Sequence, residues 1–167
     1  MAEKIETMVR EGERICWKCG EHFGQDLEVC PADGSRLLDL DPGDLADPLI
    51  GTLFDGRFRI YRKLGEGGMG NVYSARQIDF ERDVALKILK IDFLRDENIR
   101  KRFMYEARAI SNLRHPHALR LFDFGQAPDG SFYMVMELLE GESLADRLAY
   151  RFVSFREVFN TVPPVCG

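Results

Sequence analysis

Two groups of residues in this sequence have the types and spacing for chemistry. The first is the trio Gly65, Gly67 and Gly70 in "LGEGGMGNVYSAR", followed by Lys87 in "VALK" and Glu106 in "MYEARAI". The trio is spaced G-x-G-x-x-G. Glycines carry no Cβ, so a hairpin built from them can lie close over a phosphate chain and offer its N–H groups. A phosphate chain then needs a cation, and a cation in a closed site needs an anionic partner to hold it. Lys87 and Glu106 are of the right types for those two roles.

The second group is Cys16, Cys19, Cys30 and Asp33 in "CWKCGEHFGQDLEVCPADG". Cys16-x-x-Cys19-Gly and Cys30-Pro-x-Asp33-Gly each have the form of a zinc knuckle, a tight turn whose N–H groups support a metal ligand. Zn²⁺ takes carboxylates as well as thiolates, so a Cys₃Asp set is chemically allowed. His22 is a rival fourth ligand. So short a stretch has too few apolar side chains for a core of its own, which favours a metal as its organiser. Cys166 lies far from the others and reads as an apolar packing residue on a last helix.

These residues need elements to position them. "GRFRIYRKLGE", "NVYSARQ" and "DVALKILKI" are rich in β-branched and aromatic residues and read as three strands. Lys87 then points from one face of the third. The next stretch changes to a helical period, with Ile99, Phe103, Ala107 and Ile110 three or four apart. Glu106 follows Phe103 by three and precedes Ile110 by four, so it shares their face. Asp96 is the expected N-cap, and His115-Pro116 the expected stop. "HALRLFDFG" and "SFYMVMEL" read as two further strands joined by the turn "QAPDG", and "ESLADRLAY" as a short helix. A last helix carries Phe152, Phe155 and Phe159 on its apolar face.

Before the first strand of this set, "LLDLDPGDLADPLIG" is acidic and interrupted by Pro42 and Pro48, and it reads as a linker. The expected organisation is a zinc-ribbon-like module over 1–36, an acidic linker over 37–54, a main α+β unit over 55–141, and a helical segment over 142–167. The chain has 167 residues, 45% hydrophobic and 31% charged, with a net charge of −5. That is a globular composition, and its sign argues against nucleic acid as a partner. No apolar run is long enough to span a bilayer. The first fifteen residues have no apolar core, so they do not read as a secretory signal. A cytoplasmic location is expected, with the four cysteines as thiols or metal ligands rather than disulfides.

Taken together, the residues resemble the protein-kinase family. Gly65-x-Gly67-x-x-Gly70-x-Val72 is similar to its nucleotide-covering loop, Val84-Ala85-Leu86-Lys87 to its third-strand lysine motif, and Glu106 stands in the place of its ion-pair glutamate. "YMVMELLEGESL" is similar to its fifth strand and hinge. The form "GEGGMGNVY" looks most like bacterial serine/threonine kinases of the eukaryotic type. The resemblance implies an N-lobe made of a five-stranded antiparallel sheet and one main helix, followed by the first C-lobe helices. It implies ATP and Mg²⁺ as cofactors and a protein as substrate. Lys87, held by Glu106, would pair the α- and β-phosphates. Leu64, Val72 and Ala85 would enclose the adenine, with Met136 at the back of the pocket. The carbonyl of Glu137 and the N–H of Leu139 would bond its edge, and Ser143 would approach the ribose.

The family's catalytic loop, a His-Arg-Asp triplet with a later Asn, does not occur in the sequence. Asp123-Phe124-Gly125 has the letters of the family's magnesium motif but precedes the hinge, so it reads as the end of a strand before a turn at Gly125. The expectation is a kinase truncated before its catalytic loop, or a partial sequence, inactive as it stands. Self-association is expected through the surface that a full C-lobe covers and through Phe152, Phe155 and Phe159. The alternatives are a non-catalytic module that binds nucleotide or a partner, and a chain whose main function is docking through the ribbon.

Overall fold

The computed structural model describes residues 13–141. The helical segment expected over 142–167, with Ser143, Phe152, Phe155, Phe159 and Cys166, lies outside the described residues, as do residues 1–12. Among the described residues, no helix is long and apolar enough to cross a membrane.

Period-two alternation builds the main sheet. Its strands are β4 (Leu53–Phe54), β5 (Phe58–Glu66), β6 (Gly70–Gln77), β7 (Arg82–Leu89), β8 (Leu121–Gln126) and β9 (Phe132–Glu137). They lie in the order β4-β5-β6-β7-β9-β8 with every neighbouring pair antiparallel. The two-residue β4 makes six strands where five were expected. Along β7, Val84, Leu86 and Ile88 enter one core and Ala85 and Leu89 the other. The first core adds Phe58, Ile60, Tyr73, Tyr133 and Val135. The second joins Met134 and Met136 to Phe103 and Ala107 of α1 (Glu97–Asn112).

The helix begins where a cap stops the extended chain. The Asp96 carboxylate accepts from the N–H groups of Asn98 and Ile99, at 2.9 and 3.2 Å. That satisfies donors the first turn cannot pair internally, an effect of about 1 kcal/mol. Phe103 and Ala107 anchor the buried face, and Ile99 and Ile110 flank them. The helix ends at Asn112, with Leu113 as its C-cap, ahead of the proline.

The stretch read as an acidic linker is built into the fold. Leu37–Asp39 forms β3, which pairs with β1 (Arg14–Cys16); β2 (His22–Phe23) completes a small sheet in the order β2-β1-β3. Farther on, Asp44 accepts from the Lys63 N–H at 2.7 Å and Asp47 from the Tyr73 hydroxyl at 3.0 Å. Leu49 and Ile50 pack on the first core. Of the acidic residues that gave this stretch the look of a solvated linker, Asp44 and Asp47 are acceptors for donors on β5 and β6, and Asp39 pairs with Arg14 of β1.

Gly125 lies inside β8, paired with Tyr133, and not at a turn. A Cβ there would stand 2.5 Å from the Tyr133 ring, so glycine lets the ring pack against the strand. The reversal comes later, closed by the Ala127 N–H donating to the Ser131 carbonyl at 2.8 Å.

Candidate functional site

The glycine hairpin joins β5 to β6. Gly65 pairs with Val72 and Glu66 with Asn71, and the Gly67 N–H donates to the Gly70 carbonyl at 2.8 Å to close the turn. The three glycines are not equivalent. A Cβ at Gly70 would strike the carbonyl oxygen of Ile88 on β7, so strand packing requires glycine there. Among the described residues, a Cβ at Gly65 would meet nothing within 4 Å. Beside the turn, Glu66 pairs with Lys90 at 2.5 Å and Lys63 at 3.4 Å. The bond from Lys90 and its charge hold this exposed carboxylate below its ordinary range.

Register brings the lysine under the hairpin. Lys87 on β7 stands opposite Val72 on β6 and Met134 on β9. Directly opposed residues share a face, so the three form one row across the sheet. Ala85 and Met136 form the next row on that same face. Both are buried, and Val72 packs on their cluster. The face is the one covered by α1. Lys87 Nζ meets Glu106 Oε1 at 2.5 Å, with side chains 16% and 33% exposed. The pair is therefore accessible from one side and held on the other. Glu137 closes β9, its N–H taken by the Arg120 carbonyl at 2.9 Å. Leu64 and Leu139 are exposed. The structure thus brings together Gly65, Gly67, Gly70, Val72, Ala85, Lys87, Glu106 and Met136 on one sheet face and the hairpin at its end. Asp123 lies within β8 and pairs with Arg57 at 3.1 Å.

The second group forms at the tip of the small sheet. Gly20 and Gly34 have φ of +83° and +72°, which non-glycine residues rarely adopt. Their N–H groups donate to the carbonyls of Cys16 and Cys30, each at 2.9 Å. The two turns are built alike, and each places one buried and one exposed ligand type: Cys16 with Cys19, Cys30 with Asp33. The four ligand atoms all lie within 4.8 Å of one another. Cys19 Sγ is 3.7 Å from Cys30 Sγ, and Cys16 Sγ is 3.3 Å from Asp33 Oδ2. The Cys19 N–H points at the Cys16 sulfur, 3.4 Å away. Burial pushes the Cys16 thiol up to about 11, while bonds from Ser35 hold the Asp33 carboxyl down at about 2. His22 is not in this group; its Nδ1 faces Glu13 at 3.5 Å.

Sequence reasoning passed over Arg59. It sits on β5, 8% exposed, with Nε donating to the Trp17 carbonyl at 3.4 Å and Nη1 to the Gly51 carbonyl at 3.1 Å. Burial pulls its pKa down, and the nearby Cys16 and Cys19 sulfurs oppose that. Nothing in the local pattern of "FRIYR" marks this arginine as buried.

Known proteins match the part of the chain that holds the first group. The chain is 41% identical over 98 residues to the serine/threonine-protein kinase pkn3 of Myxococcus xanthus, a match covering 59% of this chain and 18% of that protein. It is 43% identical over 98 residues to the serine/threonine-protein kinase PrkC of Bacillus subtilis, covering 59% and 15%. The chain therefore spans less than a fifth of the length of these curated relatives. Among solved structures it is similar to the Mycobacterium tuberculosis PknI kinase domain, with 31% identity and a TM-score of 0.50 over 62% of this chain and 41% of that one. The family model described as the protein kinase domain matches residues 58–162. That span covers more than half of the chain and includes the hairpin, the lysine and the helix glutamate, so the chain belongs to the protein kinase domain family and carries its N-terminal part.

Proposed function

We infer that residues 55–141 form the ATP-holding lobe of a serine/threonine protein kinase, whose whole activity is phosphoryl transfer from ATP to a protein hydroxyl. The observation that carries this reading is the Lys87–Glu106 ion pair at 2.5 Å, on the face of the sheet beneath the glycine hairpin. Lys87 would neutralise the α- and β-phosphates, and Glu106 would fix where its charge stands. The Gly65 position supports the hairpin's role, because nothing in the packing of the described residues asks for glycine there. A phosphate chain lying against the backbone would. Leu64, Val72 and Ala85 would enclose the adenine from above, with Met136 at the back of the pocket; the Glu137 carbonyl and the Leu139 N–H would bond its edge. Ser143, outside the described residues, would approach the ribose. Mg²⁺ would arrive with the nucleotide and neutralise phosphate charge. The family's metal ligands lie in the catalytic loop and magnesium motif, which these 167 residues do not contain. The 167-residue chain is expected to bind nucleotide without transferring phosphate.

Titration calorimetry with ATP and Mg²⁺ tests the reading. Saturable binding that is lost in Lys87→Ala is expected. Equal affinity in the native chain and in Lys87→Ala would overturn the assignment.

The ribbon-like N-terminal sheet is read as a zinc module with Cys16, Cys19, Cys30 and Asp33 as ligands. With Zn–S near 2.3 Å and Zn–O near 2.0 Å, a tetrahedral site has edges of about 3.8 Å between sulfurs and about 3.5 Å from sulfur to oxygen. Two of the six separations, 3.7 Å (Cys19–Cys30) and 3.3 Å (Cys16–Asp33), are close to those edges, and all four ligand atoms lie within 4.8 Å of one another. The doubled knuckle is the second support, because each turn aims N–H groups at ligand positions.

A further inference from the structure

Arg59 and Arg76 stand directly opposite each other on β5 and β6. Like charges in that position repel and need compensation. Arg76 has it: Asp83 lies 3.2 Å from its Nη1, and its guanidinium caps the Trp17 ring at 5.3 Å. Arg59 is the more buried of the two, and among the described residues no carboxylate pairs with it. It donates instead to two carbonyls, one of them Trp17's inside the first knuckle. The approach is close enough that a Cβ on Gly20 would stand 2.8 Å from Arg59 Nη2. A buried cation without a counter-charge is costly, because it gives up its hydration and gains no opposite charge in return. The Trp17 carbonyl that it holds lies between Cys16 and Cys19 in the chain, and the sulfurs of those two residues are the candidates for that counter-charge.

We propose that the metal-loaded knuckle is the counter-ion of Arg59, so that zinc binding docks the small N-terminal sheet onto β5 and β6 and zinc loss releases it. The inference rests on the zinc reading above. Metal binding expels the thiol protons to solvent, and three thiolates and a carboxylate around Zn²⁺ leave a formal charge of about −2. Thiols give Arg59 only weak acceptors. Docking and metal affinity are then linked, and each must strengthen the other by the same factor. β5 carries Arg59 near one end and Gly65 near the other, so the device sits on the strand that also carries the hairpin.

Trp17 is the only tryptophan in the chain and is 7% exposed at this contact, so its fluorescence reads docking directly. In the zinc-loaded 167-residue chain, removal of zinc by a chelator should move Trp17 emission to the red and open it to acrylamide. Zinc should reverse both, and Mg²⁺ should not. Arg59→Met should hold zinc about 10–100-fold more weakly in competition with a chelating dye, as loss of an outer-shell partner does. Its Trp17 emission should already be red-shifted with zinc bound. Arg59→Lys keeps the charge without the two-pronged donor and should fall between. Zinc at full stoichiometry with Trp17 emission and quenching unchanged by chelation would overturn the docking inference and leave the zinc reading standing. Absence of zinc from the native chain by elemental analysis would overturn both. The chelation arm uses the native sequence, so it decides even where Arg59→Met does not fold.

Discussion

Lys87 Nζ lies 2.5 Å from Glu106 Oε1, joining a strand of period two to a helix of period 3.6 across the core that both help to build. The pair is partly open to solvent, so its worth to folding is modest, about 1 kcal/mol or less. Its worth to phosphate binding should be larger. Glu106→Gln is expected to weaken ATP binding about tenfold, equivalent to about 1.4 kcal/mol. The urea midpoint should hardly change. Calorimetry and urea unfolding on the same variant check both halves. A large stability loss with unchanged ATP affinity would mean the pair is a structural tie.

The hairpin glycines should separate in kind. Gly70→Ala drives a Cβ into the Ile88 carbonyl and should destabilise the lobe by about 1–3 kcal/mol through forced backbone movement. Gly65→Ala meets open space and should leave stability within about 0.5 kcal/mol of native. Its effect should be confined to nucleotide affinity. Equal stability losses in the two variants would contradict the packing difference.

The fourth zinc ligand should be Asp33. Elemental analysis of protein purified without chelator should give about one zinc per chain. Asp33→Ala should weaken zinc retention at least about tenfold, and His22→Ala, which alters a residue facing Glu13, should not. The reverse pattern would move the site onto His22.

Alkaline pH should loosen the first core through Tyr133. Its hydroxyl donates to Asp55 Oδ2 at 2.5 Å, and burial, with that bond, pushes its pKa up to about 12 from 10. The folded state thus keeps a proton that the unfolded state loses first. This contribution is complete below pH 10 and disappears as pH rises toward 12; two units correspond to about 2.7 kcal/mol at most. Tyr133→Phe should flatten the fall in urea midpoint between pH 9 and 11.5. An unchanged slope would place the alkaline transition elsewhere.

The sequence alone determined what repeats or has a fixed spacing. The glycine trio, the strand lysine and the helix glutamate were legible because each follows a short-range rule: G-x-G-x-x-G, alternation, and a period of 3.6. The Asp96 cap and the two knuckles were legible for the same reason. Tertiary structure decided what depends on partners distant in sequence. Asp44 and Asp47 looked like linker charges until Lys63 and Tyr73 supplied donors. Gly125 looked like a turn until the Tyr133 ring required the space. The knuckle form put Asp33 forward as the fourth ligand with His22 as a rival, and the fold sets Asp33 beside the three sulfurs while His22 faces Glu13. Arg59 had no signal at all, because its burial comes from a knuckle some forty residues upstream folding onto its strand. Local spacing fixes which groups an element can present; only the closed fold fixes which of them lose water and must find a partner.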